Sequence, residues 1–105
     1  MLYYDILISE DLGTFIFLSV IAISLYKDKE LAWLKIGLTL SVCILLIGFI
    51  SGGHMNPAVS LLLYFTKDIG FEKLLTYGSG QIIGTILAYF YYSFKISSTP
   101  IKFLN

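Results

Sequence analysis

The sequence predicts an all-α membrane protein with three transmembrane helices and one shorter, re-entrant half-helix. Of its 105 residues, 57% are hydrophobic and only 13% are charged, and the mean hydropathy is +0.84. A soluble domain of this size exposes too much surface to stay dissolved with such a composition. The apolar residues also gather in long segments, which a glycine-containing polar stretch interrupts midway. These observations place the chain in the membrane class.

Charge and cysteine content exclude several other classes. Seven lysines balance seven acidic residues and there is no arginine, so no basic patch for nucleic acid is expected. The single Cys43 cannot form an internal disulfide. The N-terminal residues MLYYD carry neither a positively charged region nor a small-residue cleavage pattern. We therefore expect the first apolar segment to be retained as a helix and not removed as a signal peptide.

Three apolar segments are long enough to cross a bilayer. They cover residues 6–26, 31–49 and 71–94, and as helices they reach about 28–36 Å, which matches the hydrocarbon thickness. Charged residues lie between them, as KDKE at 27–30 and KDIGFEK at 67–73. The alternative, a buried helical bundle in a soluble complex, does not explain three nearly uncharged segments of this length.

A fourth apolar segment, 57–66, is too short to span. Ten residues of helix reach about 15 Å, half of the hydrocarbon thickness. Asn56 is a favourable N-cap and Pro57 suits the first helical position. The segment is therefore interpreted as a half-helix that begins near the membrane midplane and returns to its side of entry. Irregular backbone at this depth persists only where protein or a water-filled path surrounds it.

The residues before the half-helix predict a pore-lining loop. Glycines allow the chain to approach neighbouring helices closely and to turn its carbonyls inward. These carbonyls cannot all be paired by a helix and are expected to face an aqueous path. The predicted loop covers 50–66 together with the half-helix, and its pore-lining residues are Ile50, Ser51, Gly52, Gly53 and His54.

Three motifs carry a resemblance to a known family. They are SEDLGTF at 9–15, SGGHMNPAVS at 51–60 and YGSGQIIGTILA at 77–88. Together they resemble the major intrinsic proteins, the aquaporins and glycerol facilitators, over nearly the whole chain. The resemblance implies that 1–105 form one aquaporin-like half-repeat of the N-terminal type. Family members contain two inverted halves, and the second carries an arginine that this sequence lacks.

The resemblance also implies roles for the loop residues. Asn56, Pro57 and Ala58 match the NPA pore motif, and the Asn56 amide would donate to a passing water or hydroxyl group. Glu10 would accept hydrogen bonds from the loop backbone, with Gln81 and His54 sharing that bracing. A catalytic or metal-binding pair of Glu10 and His54 is disfavoured, because no second histidine or reactive nucleophile accompanies them. No enzymatic activity, metal or cofactor is expected.

Four further residues are expected near the narrow part of a pore. Ile36 aligns with a selectivity-filter position of the family, and Val59 stands where the second half carries its arginine. Phe17 shares a helix face with Glu10, and Cys43 shares one with Ile36, since residues seven apart lie on one face. Cys43 is thus either a pore-facing thiol or a helix-packed one. This set predicts a wide, apolar constriction without a fixed cation.

Asp11 departs from the family pattern, in which an apolar residue is usual. Adjacent helical residues point about 100° apart, so Asp11 cannot share the face of Glu10. It either reaches interfacial water or meets another subunit.

The expected function is passive passage of water or small neutral solutes across a lipid membrane, once a second half completes the pore. The preferred partner is a second copy in the opposite orientation, giving a homo-oligomer. A separate second-half polypeptide, a non-conducting membrane subunit and the remnant of a broken gene are alternatives. Lysines are divided five to two between the two predicted faces, with Lys102 among the five. The family resemblance implies that the face with two lysines is the inner one, whereas the positive-inside rule favours the face with five lysines. Because the two indications disagree, the sequence is compatible with insertion in both orientations.

Overall fold

Four α-helices make up the computed structural model, which describes residues 2–97. They are α1 (Tyr3–Tyr26), α2 (Ala32–Ser51), α3 (Pro57–Phe65) and α4 (Phe71–Ser97). No strand occurs within the described residues, so the all-α prediction is confirmed. At 1.5 Å per residue the helices are about 36, 30, 14 and 40 Å long. Lys102, one of the lysines on which the predicted topology depends, lies outside the described residues.

Two of these helices are both long enough and apolar enough to cross a membrane by themselves. Across residues 2–97, α1 and α2 meet both conditions. The third predicted span, α4, has sufficient length, but glycine, tyrosine, serine and glutamine make it more polar. That α4 crosses the membrane therefore stays a prediction. α3 has nine residues and is far shorter than a bilayer is thick.

Helix α1 is the central element of the fold. It packs against α4 on one side and against α2 on the other, while α3 packs against α4. Glycines set the approach of α4: a Cβ atom at Gly80 would lie 2.7 Å from the Leu7 carbonyl oxygen, and one at Gly84 would lie 2.6 Å from that of Asp11. Small residues four apart therefore bring the two backbones into contact, as in other membrane helix pairs.

Helices α1, α2 and α4 are longer than the apolar segments that predicted them, and α3 is one residue shorter. α1 begins at Tyr3, α4 continues to Ser97, and α2 includes Ile50 and Ser51, although the sequence predicts these two residues in the loop. Backbone hydrogen bonding decides where a helix ends, and polar residues continue it readily beyond the hydrocarbon boundary. The irregular stretch is therefore only 52–56.

Two glycines turn the chain from α2 into this loop. Gly52 and Gly53 have φ angles of 89° and 66°, a region that residues with a Cβ rarely adopt. The Gly52 N–H donates to the Gly48 carbonyl at 2.8 Å and ends α2. A Cβ at Gly53 would lie 3.2 Å from the backbone Cα of Ile44. Glycine at this position therefore lets the loop fold back against α2 without a steric conflict.

Candidate functional site

A buried carboxylate on α1 holds the loop in place. The Glu10 side chain is 0% exposed. Its Oε1 accepts from the Met55 N–H at 2.7 Å and from Gln81 Nε2 at 3.1 Å. Its Oε2 accepts from the Ser51 hydroxyl at 2.7 Å and from the His54 N–H at 3.0 Å. One side chain thus joins α1, the end of α2, the loop and α4.

The loop needs such a carboxylate because its backbone cannot pair with itself. Buried N–H groups without a partner are costly, and more so where no water can replace the lost bond. Met55 adopts a φ angle of 49°, an uncommon conformation for a residue other than glycine. Hydrogen bonds to an ionised acceptor are among the stronger ones in proteins. Those of Glu10 therefore stabilise a loop conformation that its own sequence disfavours.

A second group of contacts braces the loop from α3 and α4. His54 Nδ1 lies 2.8 Å from the Ser60 hydroxyl, and Gln81 Nε2 donates to the same hydroxyl at 3.0 Å. The His54 ring stacks on that of Tyr77 with 3.8 Å between the centroids. The Tyr77 hydroxyl donates to the Ser51 carbonyl. The structure therefore brings together three residues that the sequence analysis singled out for bracing, Glu10, His54 and Gln81.

Sequence reasoning missed two members of this network. Ser60 is 0% exposed and Tyr77 is 5% exposed. Both lie within the motifs that carried the family resemblance. Tyr77 is also four residues before Gln81, which puts the two on one helix face. This four-residue spacing is the feature of the sequence that indicates a bracing role for Tyr77 beside Gln81.

The NPA residues lie at the exposed start of α3. Asn56, Pro57 and Ala58 are all exposed, and Asn56 Oδ1 accepts from the Ala58 N–H at 2.8 Å. The oxygen of the Asn56 amide thus caps the half-helix, and its NH₂ group has no partner among the described residues. The helix start adds a partial positive charge to this donor.

Three of the five residues predicted to line a pore are buried within the chain. Ser51 and His54 are buried in the bracing network, and Gly53 is buried against α2. Ile50 belongs to the last turn of α2 and is partly exposed. Only Gly52 of this set is exposed. The loop therefore presents Gly52 and Asn56 at its surface, because bracing the backbone uses the other polar side chains.

The filter-like residues do not meet within one chain. Val59 is 38% exposed, and Ile36 and Phe17 are partly exposed. Ile36 lies 15 residues before the end of α2, or about 22 Å along the helix from the loop. A constriction containing both Ile36 and Val59 therefore does not form within the described residues by themselves.

Cys43 is packed between helices and does not face a pore. Its side chain is 5% exposed, and the thiol lies 4.0 Å from the Gly13 carbonyl on α1. Of the two alternatives left open for Cys43, the structure therefore supports the helix-packed thiol, because α1 covers the side of α2 on which Cys43 lies. No group of three His, Cys, Asp or Glu side chains able to hold a metal occurs within residues 2–97.

The fold and the site define a membrane-protein half-repeat in which a buried carboxylate supports a re-entrant asparagine-capped helix. The chain belongs to the major intrinsic protein family, whose pattern matches residues 2–99. It is accordingly an integral membrane protein.

Relatives in this family occur in plants, bacteria and mammals. The chain is 33% identical over 98 residues to the probable aquaporin PIP2-7 of Oryza sativa, covering 79% of this chain and 33% of that protein. It is 38% identical over 84 residues to the glycerol uptake facilitator protein-like 6 of Lactiplantibacillus plantarum, covering 77% and 39%. Identity to aquaporin-4 of Rattus norvegicus is 37% over 60 residues, covering 57% and 19%.

The chain therefore matches well under half the length of these relatives. No solved structure matches it significantly.

Proposed function

We propose that this chain is a channel subunit that passes water or small neutral solutes once it pairs with a second, inverted half. The observation that carries the proposal is the Asn56 amide, exposed at the start of α3 while Glu10 and its partners fix the loop beneath it. A fixed donor at a helix start can orient a passing hydroxyl group and repel cations. This arrangement supports transport and gives no reason to expect an enzyme.

The proposed partner is a second copy in the opposite orientation. One chain supplies one half-helix within its described residues, and inverted repeats that meet at a midplane site are a general design of transporters. Inversion would carry Val59 of the second copy towards Ile36 of the first. The small lysine imbalance between the two faces is compatible with insertion in both directions.

The proposed constriction favours a permissive pore over a strict water filter. Ile36 and Val59 are both aliphatic and partly exposed, and the side chain of neither supplies a charge or a hydrogen-bond donor. The polar groups offered to a solute would then be the Asn56 amide and the loop backbone. Small neutral solutes such as glycerol are compatible with such a surface, as is water.

A flux measurement on the intact chain tests the proposal. Purified protein in liposomes of known subunit content is compared with empty liposomes for osmotic water and glycerol permeability by stopped-flow light scattering. We expect permeability above the empty-vesicle level. Asn56→Asp should abolish most of it, because the amide donor is lost and a carboxylate at this depth is costly.

A control variant and a topology assay complete the test. Glu30→Gln changes an exposed acid in the turn after α1 and should leave the flux unchanged. Permeability at the empty-vesicle level for the native chain would support a non-conducting subunit instead. C-terminal reporters found on one membrane side only would rule out inverted self-pairing and favour a separate second-half polypeptide.

A further inference from the structure

One ring nitrogen of the buried histidine is not used by the bracing network. His54 is 7% exposed, and its Nδ1 atom is paired with the Ser60 hydroxyl. The other nitrogen, Nε2, has no hydrogen-bond partner among residues 2–97. Polar atoms inside a protein are nearly always hydrogen-bonded, and each unpaired one has a considerable cost. Nε2 therefore requires a partner that is not part of the described chain.

Nε2 is turned towards the exposed residue Gly52. A Cβ atom at Gly52 would lie 3.2 Å from Nε2, and glycine has no side chain that could cover the ring. Nε2 is also absent from the buried side-chain atoms that lack a partner in the described chain, so the small exposed part of His54 includes it. Stacking on Tyr77 and the contact with Ser60 hold the ring in this orientation. The ring thus reaches the surface of the loop at Gly52.

The Ser60 hydroxyl determines which ring nitrogen of His54 carries the proton. Gln81 Nε2 donates to the Ser60 oxygen at 3.0 Å, so the hydroxyl proton of Ser60 is available to a different acceptor. His54 Nδ1 lies 2.8 Å from this oxygen, and the Asn56 carbonyl lies 3.5 Å away, which is longer than a good O–H···O bond. A proton on Nδ1 would leave the buried hydroxyl with the longer contact alone. The hydroxyl therefore donates to Nδ1, and the neutral ring carries its proton on Nε2.

This tautomer decides what the ring offers at the surface of the loop. With Nδ1 accepting from Ser60 and the proton on Nε2, the exposed edge of His54 has a donor and no acceptor. The free NH₂ group of Asn56, in the same loop, is also a donor. A molecule that binds at either group must therefore supply lone pairs, as the oxygen of water or of an alcohol does. Since Nε2 already carries a proton, the ring does not take one from a bound water.

We propose that His54 is a second donor to the transported molecule, and that Ser60 is the positioning group that keeps the His54 proton on Nε2. This inference rests on the proposed channel function and makes it more specific. Asn56 presents the first donor at the start of α3, and Gly52 leaves the second one uncovered. The contacts that brace the loop thus also orient a hydrogen-bond donor. The expected substrate is a neutral molecule whose oxygen accepts a hydrogen bond from each donor in turn.

Nitrogen NMR of the full chain in lipid vesicles tests the assignment, because His54 is its only histidine. Isotopic labelling of the histidine ring gives one pair of nitrogen signals, and protonated and unprotonated nitrogens differ widely in chemical shift. At neutral pH we expect Nε2 to be protonated, Nδ1 to be unprotonated, and the Nε2 proton to show magnetisation transfer with water. Ser60→Ala should lower the ratio of the Nε2–H to the Nδ1–H tautomer about two- to twelvefold, the factor that corresponds to one net hydrogen bond.

Ser79→Ala is the matched control, since it makes the same change at an exposed serine of α4 and should keep the native ratio. A native chain with the proton on Nδ1, with protons on both nitrogens, or without water contact at Nε2 would overturn the proposal. Equal ratios in the native and Ser60→Ala chains would also overturn it. Flux is measured on the same vesicles, and normal flux with the proton on Nδ1 refutes this inference alone. The Nε2–H tautomer in contact with water but without flux would refute the channel function, and with it the role of His54 in transport.

Discussion

Replacing Glu10 by glutamine should destabilise the protein by removing acceptors from a site that contains only donors. In the native chain each carboxylate oxygen accepts two hydrogen bonds. Glutamine keeps one oxygen and replaces the other by an NH₂ group, so two of the four donors face another donor. Hydrogen bonds to charged groups contribute about 1.5–3 kcal/mol each. The unrelaxed loss is therefore about 3–6 kcal/mol.

Local rearrangement reduces this loss but cannot remove it. The Ser51 hydroxyl can rotate to accept, and the Gln81 amide can turn its unpaired Oε1 towards the new NH₂ group. The backbone N–H groups of His54 and Met55 cannot reverse, so one of them stays unsatisfied in either orientation. Burying a neutral amide also avoids the desolvation of a carboxylate. We expect a net destabilisation of about 2–4 kcal/mol, a large part of a typical stability of about 5–15 kcal/mol.

Reversible unfolding in detergent micelles measures this difference. The free energy of unfolding is obtained from an SDS titration followed by far-UV circular dichroism, for the native chain, Glu10→Gln and Asp11→Asn. The last variant makes the same chemical change one residue along α1, where Oδ1 has no partner to lose, and should stay within about 0.5 kcal/mol. Equal stability of Glu10→Gln and Asp11→Asn would show that the loop does not depend on Glu10.

Two other predictions concern the packing of α1. Gly84→Ala should destabilise the chain by about 1–3 kcal/mol in the same titration, because its Cβ would lie 2.6 Å from the Asp11 carbonyl oxygen. Gly78→Ala on the same helix meets no atom within 4 Å and should stabilise it by up to about 1 kcal/mol; a similar effect of both variants would contradict the close helix contact. Cys43 should react with maleimide or mercurial reagents only after unfolding, since its thiol packs near the Gly13 carbonyl. Labelling of folded protein as fast as that of an exposed Leu45→Cys control would contradict this burial.

Much of the site could be predicted from residue chemistry and spacing. An acid inside an apolar segment requires a partner, and the family resemblance implied that the loop backbone is the partner of Glu10. Asn56 followed by Pro57 indicated a helix start, and the structure has α3 beginning there. The approximate positions of α1 and α2 followed from apolar runs, although both helices extend beyond those runs. These features are local, and local sequence specifies them.

The sequence by itself determined the helical class, the membrane environment and the position of the half-helix, because each follows from composition or short-range pattern. Tertiary structure decided which side of each helix is covered. Cys43 turned out to pack on α1, Tyr77 to lie beneath the loop, and Ser60 to join His54 and Gln81. Helical periodicity groups residues onto a face without saying what that face meets, since this depends on how α1, α2 and α4 cross. Close approach at Gly80 and Gly84 fixes the α1–α4 contact, and with it the burial of Glu10 and the partial exposure of Asp11.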